Sequence, residues 1–190
     1  MMGERSRWPA PAKINLFLHI TGRRDDGYHE LETLFQFIDL QDEIEIEITQ
    51  DGKIDRPHGL AGVSAEEDLV VRAARALQQA SATPCGASLW VHKRIPAGGG
   101  VGGGSSDAAT TLVALNQLWG CGFSQQQLAE IGVQLGADVP IFIDGHASWA
   151  EGIGENLIHV TPPEHLYLLL APGVHVSTAE IFQSKELTRN

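Results

Sequence analysis

Cysteine is nearly absent from this chain. Cys85 and Cys121 are the only two in 190 residues; they lie far apart and lack metal-ligand spacing, so neither a disulfide framework nor a cysteine metal site is encoded. Buried free thiols, as in a reducing cytoplasm, are the expectation. No apolar run is long enough to span a bilayer, and the opening Met-Met-Gly-Glu-Arg-Ser-Arg lacks the apolar stretch of a signal peptide. A cytoplasmic protein is expected. Positive charge is also scarce, with 13 Lys and Arg against 24 Asp and Glu and a net charge of −11. A field of that sign repels nucleic acid and anionic membranes, which leaves a small molecule as the expected partner, and an anionic one must meet local positives. Familiar nucleotide signatures are missing too. Without Gly-Lys-Ser/Thr, His-Arg-Asp or Asp-Phe-Gly, the chain has neither a Walker A loop nor a protein-kinase site.

What the chain does have is glycine in one place. Pro96 to Ala109 read Pro-Ala-Gly-Gly-Gly-Val-Gly-Gly-Gly-Ser-Ser-Asp-Ala-Ala. A loop without Cβ atoms lets several N–H groups crowd around one anion, and a following helix turns its positive end toward the same point. The flanks fit that reading. Ala87, Leu89 and Val91 alternate as in a half-buried strand running into Lys93 and Arg94, and Ala109, Leu112, Val113 and Leu118 recur at helical spacing after Ser105 or Ser106, either of which can cap. A linker would be polar on both sides, whereas this loop joins two apolar-periodic elements. Gly98, Gly100 and Gly103 satisfy G-x-G-x-x-G, but no Asp or Glu occurs between Asp107 and Glu130 to take ribose hydroxyls. The dinucleotide reading fails on that context.

The remaining signals alternate along the chain. Residues 12 to 20 form a strand with Ile14, Leu16, Leu18 and Ile20 on one face and Lys13 and Asn15 on the other. After a polar turn through Asp26-Gly27-Tyr28-His29, strands are expected from Leu31 to Asp39 and through Ile44, Ile46 and Ile48, with Glu43, Glu45 and Glu47 forming a solvated outer row. Ser64 and Glu67 are placed to cap a helix with Leu69, Val70, Ala73 and Leu77 inward, and Ser124 with Gln127 has the capping-box spacing. Pro140 can open a short helix, and strands follow at His146 to Ala150 and Leu166 to Leu170. This order describes an α+β domain with helices packed on one side of a sheet, with a boundary near Thr161-Pro162-Pro163.

Phosphoryl transfer to a hydroxyl needs charge neutralisation and a group that orients or accepts the hydroxyl proton. Asp138, at a helix entry between Ala137 and Val139, is a candidate for the second role and equally a plain N-cap. Lys13 is a candidate cation or a surface strand lysine, and Tyr28 and His29 could stack on and read a flat base or be ordinary turn residues.

Four segments together resemble the GHMP kinases, the group of galactokinase, homoserine kinase, mevalonate kinase and phosphomevalonate kinase: Pro11-Ala-Lys-Ile-Asn-Leu16, Asp26-Gly-Tyr-His29, the glycine loop, and Leu135-Gly-Ala-Asp-Val-Pro140. The Lys-x-Asn strand with Gly-Tyr-His is similar to the member that acts on a cytidine diphosphate conjugate of methylerythritol. The resemblance runs from about Trp8 to Asn190. It implies ATP, with Mg2+, as phosphoryl donor and the 2-hydroxyl of methylerythritol as acceptor, in the non-mevalonate route to isoprenoid precursors. By the same pattern Asp138 is the catalytic base and Lys13 its hydrogen-bonded partner; Asn15 holds the polyol, His29 reads the cytosine edge, and Tyr28 with Phe182 sandwiches the ring. Pro96, Ala97, Gly98, Gly99, Gly100, Val101, Gly102, Gly103, Gly104, Ser105 and Ser106 would wrap the ATP phosphates, and no protein metal site is expected. The family's architecture makes residues 1–160 an N-terminal ATP-binding domain and 161–190 the incomplete start of a C-terminal α+β substrate-binding domain. Asp68 stands where the family usually has Asn near the adenine. Two readings remain beside this one: a catalytically silent nucleotide-binding fragment, and a GHMP kinase for another small molecule.

Overall fold

The computed structural model describes residues 5–24, 27, 29–59, 63–172 and 181. Among these the strands are β1 (Ser6–Arg23), β2 (His29–Thr49), β3 (Ile54–Asp55), β4 (Gly86–His92), β5 (Ser148–Glu151) and β6 (Asn156–His159). The helices are α1 (Leu69–Ser81), α2 (Gly103–Leu118), α3 (Gln125–Val133) and α4 (Val139–Asp144). β2 is the hub of one mixed sheet. One edge pairs antiparallel with β1, from Ser6 opposite Ile46 to Arg23 opposite His29. The other edge is shared: residues 43–49 take β4 and residues 33–35 take β5. β3 then runs parallel to β4, and β6 antiparallel to β5.

The helices pack on this sheet around one main core. Ile44, Ile46 and Leu89 from the strands meet Leu77, Leu112, Leu115 and Val139 from the helices, all fully buried. Each such side chain contributes roughly 1.5–3 kcal/mol through apolar burial. Ala108, Ala109 and Ala114 keep the inner face of α2 thin, which lets it lie close to its neighbours. There the Ser106 hydroxyl donates to the Pro11 carbonyl at 2.7 Å, tying α2 to β1. Among the described residues, no helix is long and apolar enough to cross a membrane.

Several local expectations give way to tertiary context. The two strands expected after the turn are one continuous strand, because Asp42 at their junction is buried and accepts the Arg94 and Ile95 N–H groups at 2.5 and 2.8 Å. In β1, register shifts at Pro11/Lys13, Asn15/Phe17 and Ile20/Gly22 break the two-residue alternation, so Leu16 and Leu18 are exposed while Lys13 is buried. The glutamate row is not simply solvated. Arg5 and Arg7 straddle Glu43, Glu45 and Glu47, and Glu45 is buried. Burial would raise the Glu45 pKa, but Arg7, His92 and Arg5 outweigh it and hold the carboxyl below its usual 4.5.

Helix starts shift as well. Ser64 and Glu67 close a turn before α1, whose N-cap is Asp68, accepting from the Val70 N–H at 3.0 Å. α2 begins at Gly103 with Gly102 as N-cap, so Ser105 and Ser106 lie inside its first turn. The Ser124–Gln127 capping box is formed as the spacing predicts. Leu166 to Leu170 form no strand; residues 161–172 carry no regular structure, and Leu166, Leu168 and Leu170 are exposed. Cys85 and Cys121 are free but half-buried, not buried.

Candidate active site

A cleft of about 1290 Å3 runs between the glycine loop, the β1–β2 hairpin and the start of α4. Pro96 through Ser105 form one wall, and Lys13, Asn15, Thr33 and Phe35 from the paired strands form the floor. Positive φ at Gly98, Gly100 and Gly102 (72°, 70° and 75°) lets the loop reverse over a short span. Such angles strain any L side chain, and nothing lies within 4 Å of a Cβ built on Gly100. The loop's backbone is therefore open to an incoming group at that point. Other loop glycines serve packing: a Cβ on Gly103 would come within 2.9 Å of Ile95, and one on Gly102 within 2.6 Å of the Phe142 ring. The Lys13 N–H donates to the Val101 carbonyl at 3.1 Å, fixing the loop to β1.

Lys13 and Asp138 meet at the bottom of this cleft. Register against β2 points the lysine inward, and α4 starts where its N-cap residue can face the same space. Lys13 Nζ lies 3.4 Å from Asp138 Oδ2. Asp138 makes no side-chain capping bond to its own helix, so the carboxylate is turned toward the lysine instead of the backbone. The expected Lys13–Asp138 hydrogen bond is an ion pair; the ammonium donates at 2.8 Å to Asn15 Oδ1. Asn15 Nδ2 in turn donates to Thr33 Oγ1 at 2.7 Å, and Thr33 donates to the Phe17 carbonyl at 2.6 Å. This relay fixes the orientation of the Asn15 amide and holds the lysine over the Phe35 ring, 5.2 Å from its centre. Thr33 and Phe35 had no local signal in the sequence.

A second charged cluster sits behind the loop, and only Asp107 of its three members belongs to a motif, the end of the glycine-rich segment. Lys93 Nζ bridges Asp42 Oδ2 at 2.5 Å and Asp107 Oδ2 at 2.7 Å. Asp107, at the start of the second turn of α2, is 4 % exposed, and its Oδ1 has no hydrogen-bond partner. Burial is the chief cause that pushes its pKa up to about 7; Lys93 opposes the rise and Asp42 adds to it. Burial alone would lower Lys93, but the two carboxylates outweigh it and hold the lysine above its usual 10.5. When Asp107 carries its proton, Asp42 and Lys93 cancel, and the cluster presents no net charge to a polyanion in the cleft.

The other expected site residues are distributed as follows. Asn15, His29 and Pro96 to Ser105 line the cleft, and His29 is half-buried. Ser106 does not line it; its buried hydroxyl is spent on Pro11. Asp68 caps α1 and pairs with the buried Arg56. Tyr28 and Phe182 lie outside the described residues.

Residues 68–146 match the GHMP kinases N terminal domain family. The chain is 58% identical over 192 residues to 4-diphosphocytidyl-2-C-methyl-D-erythritol kinase of Shewanella sp. (strain ANA-3), covering 100% of this chain and 68% of that protein. This chain belongs to the 4-diphosphocytidyl-2-C-methyl-D-erythritol kinase family. The Xanthomonas euvesicatoria pv. vesicatoria (strain 85-10) kinase of the same name is 59% identical over 97% of this chain and 63% of its own length. A crystal structure of 4-(cytidine 5'-diphospho)-2C-methyl-D-erythritol kinase superposes with a TM-score of 0.73 at 41% identity, over 83% of this chain and 56% of that one. The chain thus spans about two thirds of the length of the Shewanella and Xanthomonas kinases.

Proposed function

We propose that this chain carries the ATP-binding and proton-handling part of a kinase that phosphorylates the 2-hydroxyl of 4-diphosphocytidyl-2-C-methyl-D-erythritol, a step toward isoprenoid precursors. The observation that carries the reading is the Lys13–Asp138 pair, 3.4 Å apart on the floor of a glycine-walled cleft. In the transfer, the acceptor oxygen bonds to the γ-phosphorus as the bond to ADP breaks, and the hydroxyl proton passes to Asp138. Lys13 stabilises charge developing on that oxygen, and Asn15, held by Thr33, fixes the lysine and faces the polyol. The open backbone at Gly100 and the N-terminus of α2 supply donors for the phosphates. His29 lines the same cleft and by the family's pattern reads the cytosine edge, with Tyr28 and Phe182 stacking on the ring.

Magnesium fits the same place: Ser105, Asp107 and Asp138 are among the hard oxygen donors that line the cleft, and Asp107 Oδ1 is unpartnered. Bound with ATP, the ion would neutralise charge on the γ-phosphate. We assign residues 1–160 to the nucleotide-binding domain and 161–190 to the start of a second one. The exposed Leu166, Leu168 and Leu170, which have the look of a face to be covered, support that division. Free thiols and ATP as donor suit the cytoplasm.

The test is ADP release with the cytidine conjugate, against galactose, homoserine and mevalonate, from the chain alone and from the chain joined to the remaining third of a relative. Asp138→Asn keeps the shape and removes the base, so turnover should fall roughly 10²-fold or more with KM little changed. Adding Lys13→Ala should cost little more, because the two act as a unit. Near-normal turnover in Asp138→Asn rejects the mechanism. ATP binding without ADP release in either form of the protein would favour the silent nucleotide-binding reading.

A further inference from the structure

At the other end of α4 from Asp138, three side chains gather that do not line the cleft. Asp144 closes the helix, Gly145 turns the chain at φ 73°, and His146 follows; β6 delivers His159 to the same spot by pairing opposite Ser148. One ligand-capable atom from each of Asp144, His146 and His159 lies within 4.8 Å of the others. His159 Nε2 stands 2.9 Å from each Asp144 oxygen, yet its hydrogen bond goes to Oδ1. Oδ2 is buried without a hydrogen-bond partner. His146 Nδ1 lies 3.6 Å from that oxygen and 2.8 Å from the Asp144 carbonyl. The two imidazoles stack with centroids 4.4 Å apart and planes 22° apart, so their inner nitrogens face one carboxylate together.

We propose that Asp144, His146 and His159 form a binding site for a first-row divalent transition ion such as Zn2+, which ties the end of α4 to β6. Bonds of about 2.0–2.1 Å in a tetrahedron place neighbouring ligand atoms about 3.3 Å apart. The observed 2.9 and 3.6 Å between Asp144 Oδ2 and the two histidines bracket that spacing, and the imidazoles must rotate out of their stack for both in-plane lone pairs to converge on the ion. Two imidazoles with one carboxylate select zinc, nickel or cobalt over magnesium or calcium, which prefer all-oxygen sites. To offer lone pairs inward, His146 carries its proton on Nε2 and His159 on Nδ1, so ligation replaces the hydrogen bonds these inner nitrogens now make to the Asp144 carbonyl and Oδ1. Three protein ligands leave a fourth position for water. His146 and His159 are exposed, so an ion can enter without opening the fold.

The test is zinc titration of the 190-residue chain by calorimetry, with cobalt absorption as a reporter of tetrahedral N/O ligation. The expected result is one strong site, weakened tenfold or more by Asp144→Asn and lost in the double variant His146→Gln with His159→Gln. Zinc should also raise the thermal midpoint of the wild-type chain and not that of the double variant, whose fold is checked by circular dichroism. Equal zinc affinity in the folded double variant, or no uptake by the wild-type chain, overturns the proposal. If the double variant does not fold, Asp144→Asn decides: unchanged zinc affinity and cobalt spectrum there overturn it equally.

Discussion

Replacing Asp107 by Asn should change how the stability of this domain depends on pH. The buried carboxyl keeps its proton up to about pH 7 in the folded state, against an ordinary 3.8, chiefly because burial disfavours the ion. Between those values the native chain binds a proton that the unfolded chain has lost, so stability from this group falls as pH rises. It is fully present below 3.8 and gone above about 7. At about 1.4 kcal/mol per tenfold change in proton affinity, the gap amounts to roughly 4 kcal/mol. Asn has the same shape, can still accept from Lys93, and has no proton to lose. Urea unfolding of both proteins from about pH 5 to 8, with equal m-values, should therefore show the variant gaining on wild type by a few kcal/mol as pH rises. The gain should flatten above about 7. Lys93, held above 10.5, does not titrate in this window and cancels from the comparison. A stability difference that stays constant across the range, or runs the other way, would refute burial as the controlling cause.

Two further outcomes follow from the loop and from α1. Gly100→Ala forces a side chain to φ 70° in open cleft space, so it should cost about 1–2 kcal/mol of stability and weaken ATP binding about tenfold by calorimetry. Gly99→Ala, whose Cβ would have its nearest contact at 3.5 Å, should do neither; equal ATP affinities in the two variants would show that the backbone at Gly100 is not where the nucleotide approaches. Asp68→Ala strands the buried Arg56 guanidinium and removes the α1 cap, with an expected loss of about 3–5 kcal/mol in urea unfolding. Asp68→Asn keeps a capping oxygen and should lose clearly less.

The glycine loop, the capping box at Ser124 and the Pro140 helix start were legible because each depends on the φ, ψ and hydrogen-bond habits of a few consecutive residues. Lys13 and Asp138 are legible as partners through the family resemblance alone, since no local signal in the sequence brings them together. They lie far apart in sequence, and what joins them is the β1–β2 register together with the packing of α2 and α4. The same holds for Asp42, Lys93 and Asp107, which no short motif unites, and for Asp144, His146 and His159. Where the sequence misled, long-range pairing had overruled local period. Bulges in β1 exposed Leu16 and Leu18, the buried Asp42 carried β2 through an expected break, and Arg5 and Arg7 closed over the glutamate row. Chain-local chemistry therefore set which groups are present and how the glycine loop bends. Tertiary structure alone decided which charges meet and how deeply they are buried, since both depend on strands and helices brought together from distant parts of the chain.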